Sequence, residues 1–199
     1  MARPILLASG STIRRQLMTE AGLDVTAVAA RVDEAAIRDA LLAEGATPRD
    51  IADALAESKA RKISDKNPGS LVLGCDQVLD FERNIISKPE TELEARAQLL
   101  RLRGKTHRLL SAAVLYDQGQ PVWRHVATAR LTMRDFSDGY LDGYLARNWP
   151  ELSETVGGYK LEREGSRLFT AIEGDWFTIL GLPLLPLLAY LGLRGFIDA

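Results

Sequence analysis

The chain has 199 residues, of which 46% are hydrophobic and 26% are charged, and its formal net charge at pH 7 is −2. This is the composition of an ordinary globular protein, and a chain of this length buries enough surface to fold without disulfides. It excludes a fibrous or disordered chain, and it lacks the strongly basic balance of proteins that bind long nucleic acids.

In the first half of the chain, short apolar runs alternate with amphipathic segments, which predicts strands alternating with helices. Hydroxyl residues, aspartate or proline mark the helix starts, and glycine marks the helix ends. In chain order the predicted elements are a strand over residues 5–8, a helix ending at Gly22, a strand over 25–29, and helices over 33–44 and from 48 to about 64.

The second half begins with a predicted buried strand, Leu71–Cys75, which carries Asp76 at its carboxyl end. The remaining predicted elements are a hairpin of residues 78–81 and 85–88, a helix over 91–102, strands over 107–116 and 122–133, a helix over 137–148, a strand over 169–172 and a helix from residue 184. This mixture predicts an α/β fold with a mixed, extended sheet flanked by helices, in a single domain over residues 1–199.

The loop Ser9-Gly10-Ser11-Thr12-Ile13-Arg14-Arg15 lies between a predicted strand and a predicted helix. A helix N-terminus presents unpaired N–H groups and a partial positive charge, which attract phosphate. Ser9 and Ser11 add hydroxyl groups, and Arg14 and Arg15 add guanidinium groups that pair with phosphate oxygens. The alternative is a serine-capped helix with solvated arginines. The loop is not a Walker motif, because no Gly-Lys-Ser/Thr follows.

Asp76 lies at the end of a predicted buried strand, where burying a charged side chain costs free energy unless the charge has a role. It could bind a metal ion or activate water, or it could simply cap the next turn. The predicted hairpin would return Lys88 toward Asp76, although Lys88 could also be an exposed lysine before a proline. Lys59 belongs to a charged run over residues 57–62 that would otherwise be a solvated helix face.

Glycine-rich segments over residues 157–162, 173–175 and 181–183 predict sharp turns or a close approach of the backbone to a ligand. Tyr159 and Trp176 could flank a nucleobase, or they could be buried aromatic residues. His107 and His125 have no partner at zinc spacing, and no Gly-x-Ser-x-Gly or Gly-x-Gly-x-x-Gly motif occurs.

The sequence also predicts where the protein resides. The apolar run at residues 5–8 is too short for the core of a signal peptide. The apolar stretch Ile179–Leu193 contains two prolines and is shorter than the roughly 20 residues of a membrane helix. A lone cysteine, Cys75, forms no internal disulfide. We therefore expect a cytoplasmic protein with no membrane or nucleic-acid partner.

In their order, these motifs resemble those of the Maf family of nucleoside triphosphate pyrophosphatases, from Ile5 to about Leu191. The matching segments are Leu7–Arg15, Val32–Glu34, Lys59–Ala60, Gly74–Val78, Lys88–Pro89, Leu102–His107, Gly157–Tyr159 and Gly174–Pro183. The resemblance implies a fold similar to that of inosine triphosphate pyrophosphatases, with two lobes around a cleft. It further implies hydrolysis of a nucleoside triphosphate to a monophosphate and pyrophosphate, a divalent cation (Mg²⁺, Mn²⁺ or Co²⁺) and a homodimer.

The resemblance also implies roles for individual residues. Asp76 would accept the proton of the attacking water and would bind the metal together with Glu34. The triphosphate would be bound by Ser9, Ser11, Arg14, Arg15, Lys59 and Lys88. The positions that select the base carry Ile13, Gln77 and Glu162. Gln77 and Glu162 resemble the branch similar to 7-methyl-GTP pyrophosphatases, whereas Ile13 replaces the tryptophan typical of that branch, so the base preference stays open.

A second class of function is a non-catalytic, nucleotide-binding regulator of cell division, because the family takes its name from inhibition of septum formation. The two hypotheses differ in their need for the Asp76 carboxylate, which only the enzyme requires for proton transfer.

Overall fold

The computed structural model of the chain describes residues 3–198. The strands are β1 (Ile5–Ala8), β2 (Val25–Ala27), β3 (Leu71–Phe81), β4 (Asn84–Ile86), β5 (Thr106–Asp117), β6 (Gln120–Met133) and β7 (Phe169–Glu173). The α-helices are α1 (Thr12–Glu20), α2 (Glu34–Ala43), α3 (Pro48–Ser64), α4 (Glu92–Leu102), α5 (Asp138–Asn148), α6 (Trp176–Ile179) and α7 (Leu184–Leu193). Short 3₁₀ segments occur at Glu151–Glu154, Val156–Gly158 and Glu164–Leu168.

The strands form one mixed sheet in the order β2-β1-β3-β5-β6-β7, with β4 paired to β3. Strand β1 runs parallel to both β2 and β3, whereas β4 is antiparallel to β3 and β7 is antiparallel to β6. The helices connect these strands, as expected for parallel neighbours that need crossover connections. The predicted α/β fold with a mixed sheet and flanking helices is confirmed.

The chain divides into two compact units. The first comprises the chain up to Gln77, Leu110–Ala127 and the chain from Trp176 onward, and the second comprises Val78–Leu109 and Thr128–Asp175. Strands β3, β5 and β6 each contribute residues to both units. A single domain over residues 1–199 stays a prediction, and residues 1, 2 and 199 lie outside the described residues.

In the first unit, alternate residues of β3 face opposite sides of the sheet. Leu71, Leu73 and Cys75 point into a core that also contains buried residues of β1, β5, α1 and α7. Gly74 faces α3 instead, because a Cβ atom on it would lie 2.1 Å from the backbone oxygen of Ala56. Since side chains alternate along a strand, Asp76 shares the α3 side with Gly74, and Gln77 shares the other side with Cys75.

The helix starts follow the predicted capping residues. In each case a side-chain oxygen accepts a hydrogen bond from the backbone N–H three residues later, which satisfies a group left unpaired at the helix N-terminus. These N-caps are Ser11, Asp33, Thr47, Thr91 and Ser137.

The prediction that a strand ends at Cys75 and delivers Asp76 at its carboxyl end is wrong. Strand β3 continues from Leu71 to Phe81, so Asp76 lies inside it. Asp76, the polar residue that indicated an end, is paired with Lys59 of another element, and Asp80 further along β3 is paired with Arg108. The β2 strand is also shorter than predicted, since it ends at Ala27.

The C-terminal apolar segment packs in the first unit. Leu184, Leu187 and Leu191 of α7 are buried in its core, which confirms the predicted core role. Over residues 3–198, no helix combines the length and the apolar character needed to cross a membrane.

Candidate active site

The loop between β1 and α1 is held by its own serines and by Arg14. The Ser9 hydroxyl accepts hydrogen bonds from the Ser11 backbone N–H (3.2 Å) and from Arg14 Nη1 (3.4 Å). Arg14 also donates from Nη1 to the Cys75 carbonyl (3.2 Å) and from Nε to the Gly181 carbonyl (2.7 Å). Arg14 therefore ties the loop to β3, one residue before Asp76, and to the segment that precedes α7.

The C-terminal glycine motif has a structural reason at Gly181. Its φ angle is +93°, a backbone conformation that residues other than glycine rarely adopt. A Cβ atom there would lie 3.0 Å from Arg14 Nη2. By contrast, Arg15 is exposed and Ile13 is half-buried in the first turn of α1.

A buried lysine joins two carboxylates in the first unit. Lys59 of α3 places Nζ 2.6 Å from Asp76 Oδ1 and 2.8 Å from Glu34 Oε1. Lys59 and Asp76 are only 8% and 5% exposed, whereas the Glu34 side chain is half exposed. Glu34 occupies the first turn of α2 because Asp33 caps that helix.

Burial raises the pKa of the Asp76 carboxyl group, because a charged carboxylate loses its hydration. The positive charges of Lys59 and Arg14 oppose this effect, and the negative charge of Glu34 adds to it. A carboxylate made more basic by burial, yet kept beside a cation, has the character required of a general base.

The two carboxylates suit a divalent cation that also has non-protein ligands. Asp76 and Glu34 already converge on one positive atom, Lys59 Nζ, and each carboxylate has a second oxygen. Among residues 3–198, no three Asp, Glu, His or Cys side chains gather into a set that could hold a metal ion. Mg²⁺ commonly takes one or two carboxylates together with substrate phosphates and water, so this pair fits such a cation.

Gln77 makes its contacts on the opposite side of the sheet from Asp76. Its Nε2 donates to Ser111 Oγ (2.9 Å), to the Ile179 carbonyl (3.0 Å) and to the Thr178 carbonyl (3.2 Å). Sequence reasoning missed Ser111 and the Thr178–Ile179 segment. The only signal for them was the nearby Gly181-Leu182-Pro183 motif, which carries no information about Gln77.

The remaining predicted site residues, Lys88 and Glu162, belong to the second unit, and both are exposed. Lys88 follows β4, and the approach of Lys88 to Asp76 stays a prediction. For Tyr159, the buried-aromatic alternative applies, since it is 5% exposed and packs edge-on against Phe169 at 4.8 Å between ring centroids. Trp176 is 46% exposed.

The Tyr159 hydroxyl lies 2.6 Å from Nε2 of His107, which is buried in β5. Burial lowers the pKa of His107 to about 4, because the imidazolium form would lose its hydration. In the unfolded chain the pKa of this histidine is near 6.5, so between pH 4 and pH 6.5 the unfolded state binds one proton more than the folded state. The free energy of unfolding should therefore fall by about 2–3 kcal/mol as the pH is lowered from 6.5 to 4.

Urea unfolding at several pH values tests whether His107 causes this pH dependence of the free energy of unfolding. His107→Gln keeps a hydrogen-bonding partner for Tyr159 but does not titrate, so its stability should depend less on pH over this range. His125→Gln, which removes the half-buried histidine of β6, is the matched control and should keep the wild-type slope. Equal slopes for wild type and His107→Gln would contradict the assignment.

The fold and the site together define an α/β protein in which a serine-capped helix N-terminus, the kind of group that can bind anions, follows β1, and in which a carboxylate–lysine pair is buried between β3 and α3. The chain belongs to the family described as Maf-like protein, whose model matches residues 4–193. The family predicted from the ordered motifs is thereby confirmed.

Several relatives are similar along the whole chain. A nucleoside triphosphate pyrophosphatase of Ruegeria pomeroyi is 60% identical over 198 residues, covering 100% of both chains. A 7-methyl-GTP pyrophosphatase of Mesorhizobium japonicum is 49% identical over 198 residues, again covering 100% of both chains. Among solved structures, the nucleoside-triphosphatase (dITP/XTP pyrophosphatase) of Mycobacterium abscessus is 15% identical and covers 67% of this chain and 75% of its own, with a TM-score of 0.43.

Proposed function

We propose that the chain is a nucleoside triphosphate pyrophosphatase. In this reaction the oxygen of a water molecule bonds to the α-phosphorus, and the bond from that phosphorus to the bridging oxygen breaks. Pyrophosphate leaves with the electron pair, and the proton of the water passes to Asp76. The observation that carries the proposal is the buried Asp76 carboxylate, 2.6 Å from Lys59 and adjacent in sequence to the Cys75 carbonyl that Arg14 binds. The names of the full-length relatives support it.

Substitution at phosphorus gains chiefly from positioning and from neutralising charge. The N–H groups at the start of α1, the hydroxyls of Ser9 and Ser11, and the exposed Arg15 would bind the triphosphate. Arg14 would orient this loop and add positive charge to it. Lys59 would hold Asp76 ionised and neutralise phosphate charge, and Lys88 would be a further phosphate ligand.

Glu34 and Asp76 would hold a divalent cation, Mg²⁺, Mn²⁺ or Co²⁺, as their convergence on Lys59 Nζ supports. Such a cation shields the negative charge of the phosphates. The chain's own groups still orient the triphosphate and accept the proton.

For the base, we propose that Ile13, Gln77 and Glu162 contribute to selection. Glu162 is a carboxylate and can accept hydrogen bonds from the N1–H and N2–H₂ edge of guanine. The pair Gln77 and Glu162 favours 7-methyl-GTP, and the half-buried Ile13 provides no aromatic plane for a cationic base.

The proposal is tested by measuring pyrophosphate and monophosphate release from dTTP, UTP, GTP and 7-methyl-GTP with Mg²⁺ or Mn²⁺. We expect equal amounts of pyrophosphate and monophosphate from at least one nucleotide, loss of the reaction with excess EDTA, and recovery on adding the cation. Release of inorganic phosphate alone would contradict the proposed position of attack. No product from any nucleotide would overturn the enzymatic proposal and favour a non-catalytic, nucleotide-binding regulator.

We also propose a homodimer in the cytoplasm, with no nucleic-acid or membrane partner, from the same family resemblance and the net charge of −2. Sedimentation velocity at micromolar concentration checks the dimer, for which a single monomeric species would be the contrary result.

A further inference from the structure

The side-chain amide of Gln77 is surrounded on one side by acceptors. Its Nε2 lies 2.9–3.2 Å from three oxygens, namely Ser111 Oγ and the carbonyls of Thr178 and Ile179. Carbonyl oxygens can only accept hydrogen bonds. The Ser111 hydroxyl donates its single proton to the Thr178 carbonyl at 2.7 Å, so it presents a lone pair to Gln77.

These partners determine which end of the amide faces them. If the amide were rotated by 180°, its oxygen would meet three acceptors and no donor. The nitrogen must therefore face the three oxygens, and Oε1, on the same carbon, must face away from them. Gln77 consequently offers a hydrogen-bond acceptor, and not a donor, to any ligand that meets the free side of its amide.

The groups that impose this orientation are buried. Ser111 is fully buried, and Thr178 and Ile179 are 0% and 6% exposed, whereas Gln77 is half-buried. The same short segment is also held by the hydrogen bond from Arg14 Nε to the Gly181 carbonyl. A ligand at Gln77 therefore meets an amide whose direction is already set.

We propose that Ser111 is a positioning residue for base selection, holding the Gln77 amide so that its oxygen faces the nucleobase. This inference rests on the proposed function, in which Gln77 helps to select the base. At the ring nitrogen in the centre of the Watson–Crick edge, a fixed acceptor pairs with bases in which that nitrogen carries a hydrogen: guanine, hypoxanthine, uracil and thymine. It opposes adenine and cytosine, in which that nitrogen is itself an acceptor. With guanine, Glu162 would then accept from the N2–H₂ group.

The test compares kcat/KM for GTP with ATP and for UTP with CTP in wild type, Ser111→Ala and Ser111→Thr. In Ser111→Ala the amide loses one of its three acceptors and the Thr178 carbonyl loses a donor, so the amide is held less firmly, although the two carbonyls still exclude its rotation by 180°. Because the acceptor is then less precisely placed, we expect both ratios to fall about threefold, mainly through KM, and Ser111→Thr, which keeps the hydroxyl, to restore them. Ser64→Ala is the matched control, because Ser64 is also fully buried and its hydroxyl has no hydrogen-bond partner within residues 3–198. Unchanged ratios in Ser111→Ala would overturn the inference.

A second readout does not require catalysis. The side-chain NH₂ signals of Gln77, assigned by their absence in Gln77→Met, should exchange slowly with water in wild type and Ser64→Ala, and about tenfold faster in Ser111→Ala. Fast exchange in the wild type would overturn the inference even if the enzyme is active. If no nucleotide is hydrolysed but exchange is slow and depends on Ser111, the enzymatic proposal fails and the positioning of the amide stands.

Discussion

Replacing Asp76 by asparagine is expected to reduce pyrophosphate release at least about a thousandfold, because an amide cannot accept the proton of the attacking water. The fold should remain as stable as the wild type or become more stable. Burial of the charged carboxylate raises the pKa of Asp76, and asparagine removes that charge at nearly constant volume. Lys59 keeps a partner in the variant, since Glu34 Oε1 lies 2.8 Å from its Nζ.

The measurement is single-turnover pyrophosphate release at saturating nucleotide, together with thermal unfolding of the same samples. The matched control is Asp80→Asn, which changes a second buried aspartate of β3, four residues away and paired with Arg108. Its rate should stay within about threefold of wild type, because Asp80 has no part in the proposed chemistry. If Asp76→Asn were folded and kept more than a tenth of the wild-type rate, Asp76 would not be the general base.

Replacing Gly74 by alanine is expected to destabilise the protein by about 3 kcal/mol or more. The added Cβ would lie 2.1 Å from the Ala56 oxygen, 2.6 Å from the Ala60 nitrogen and 2.8 Å from the Ala60 Cβ. Two of these atoms belong to the backbone of α3, so no side chain can rotate to make room and the whole helix must shift. Because α3 carries Lys59, the shift should also lengthen the Lys59–Asp76 contact and lower activity.

Urea unfolding monitored by tryptophan fluorescence measures the first effect. Gly69→Ala is the matched control: Gly69 lies in the turn before β3 and nothing lies within 4 Å of a Cβ built on it. Its unfolding midpoint should match that of the wild type. A Gly74→Ala protein as stable as Gly69→Ala would mean that the backbone of α3 does not pack closely against β3 at this position.

The local structure of the chain was predictable because its causes lie within a few residues. Helix α3 begins where Thr47 accepts from the Asp50 N–H and proline occupies the first position, a signal readable from four residues. Asp33 likewise starts α2, and in doing so sets Glu34 in the first turn. The loop before α1 was predicted as an anion site for the same reason, since a helix N-terminus follows a strand end.

The tertiary structure decided what depends on partners distant in sequence. Strand β3 continues through Asp76 because Lys59, 17 residues earlier in the chain, neutralises the carboxylate that marked an end in the sequence. The direction of the Gln77 amide depends on Ser111 and on carbonyls about a hundred residues away. Tyr159 is buried because it packs against β5 and β7.

The sequence by itself determined the family, the capped helices, the mixed sheet and the residue types of the candidate site. Those properties follow from local hydrogen bonding, hydrophobic periodicity and motif order. Only the folded chain decided which charges are buried, which side of β3 each polar residue occupies, and which groups orient them. These depend on long-range packing, which a local pattern does not encode.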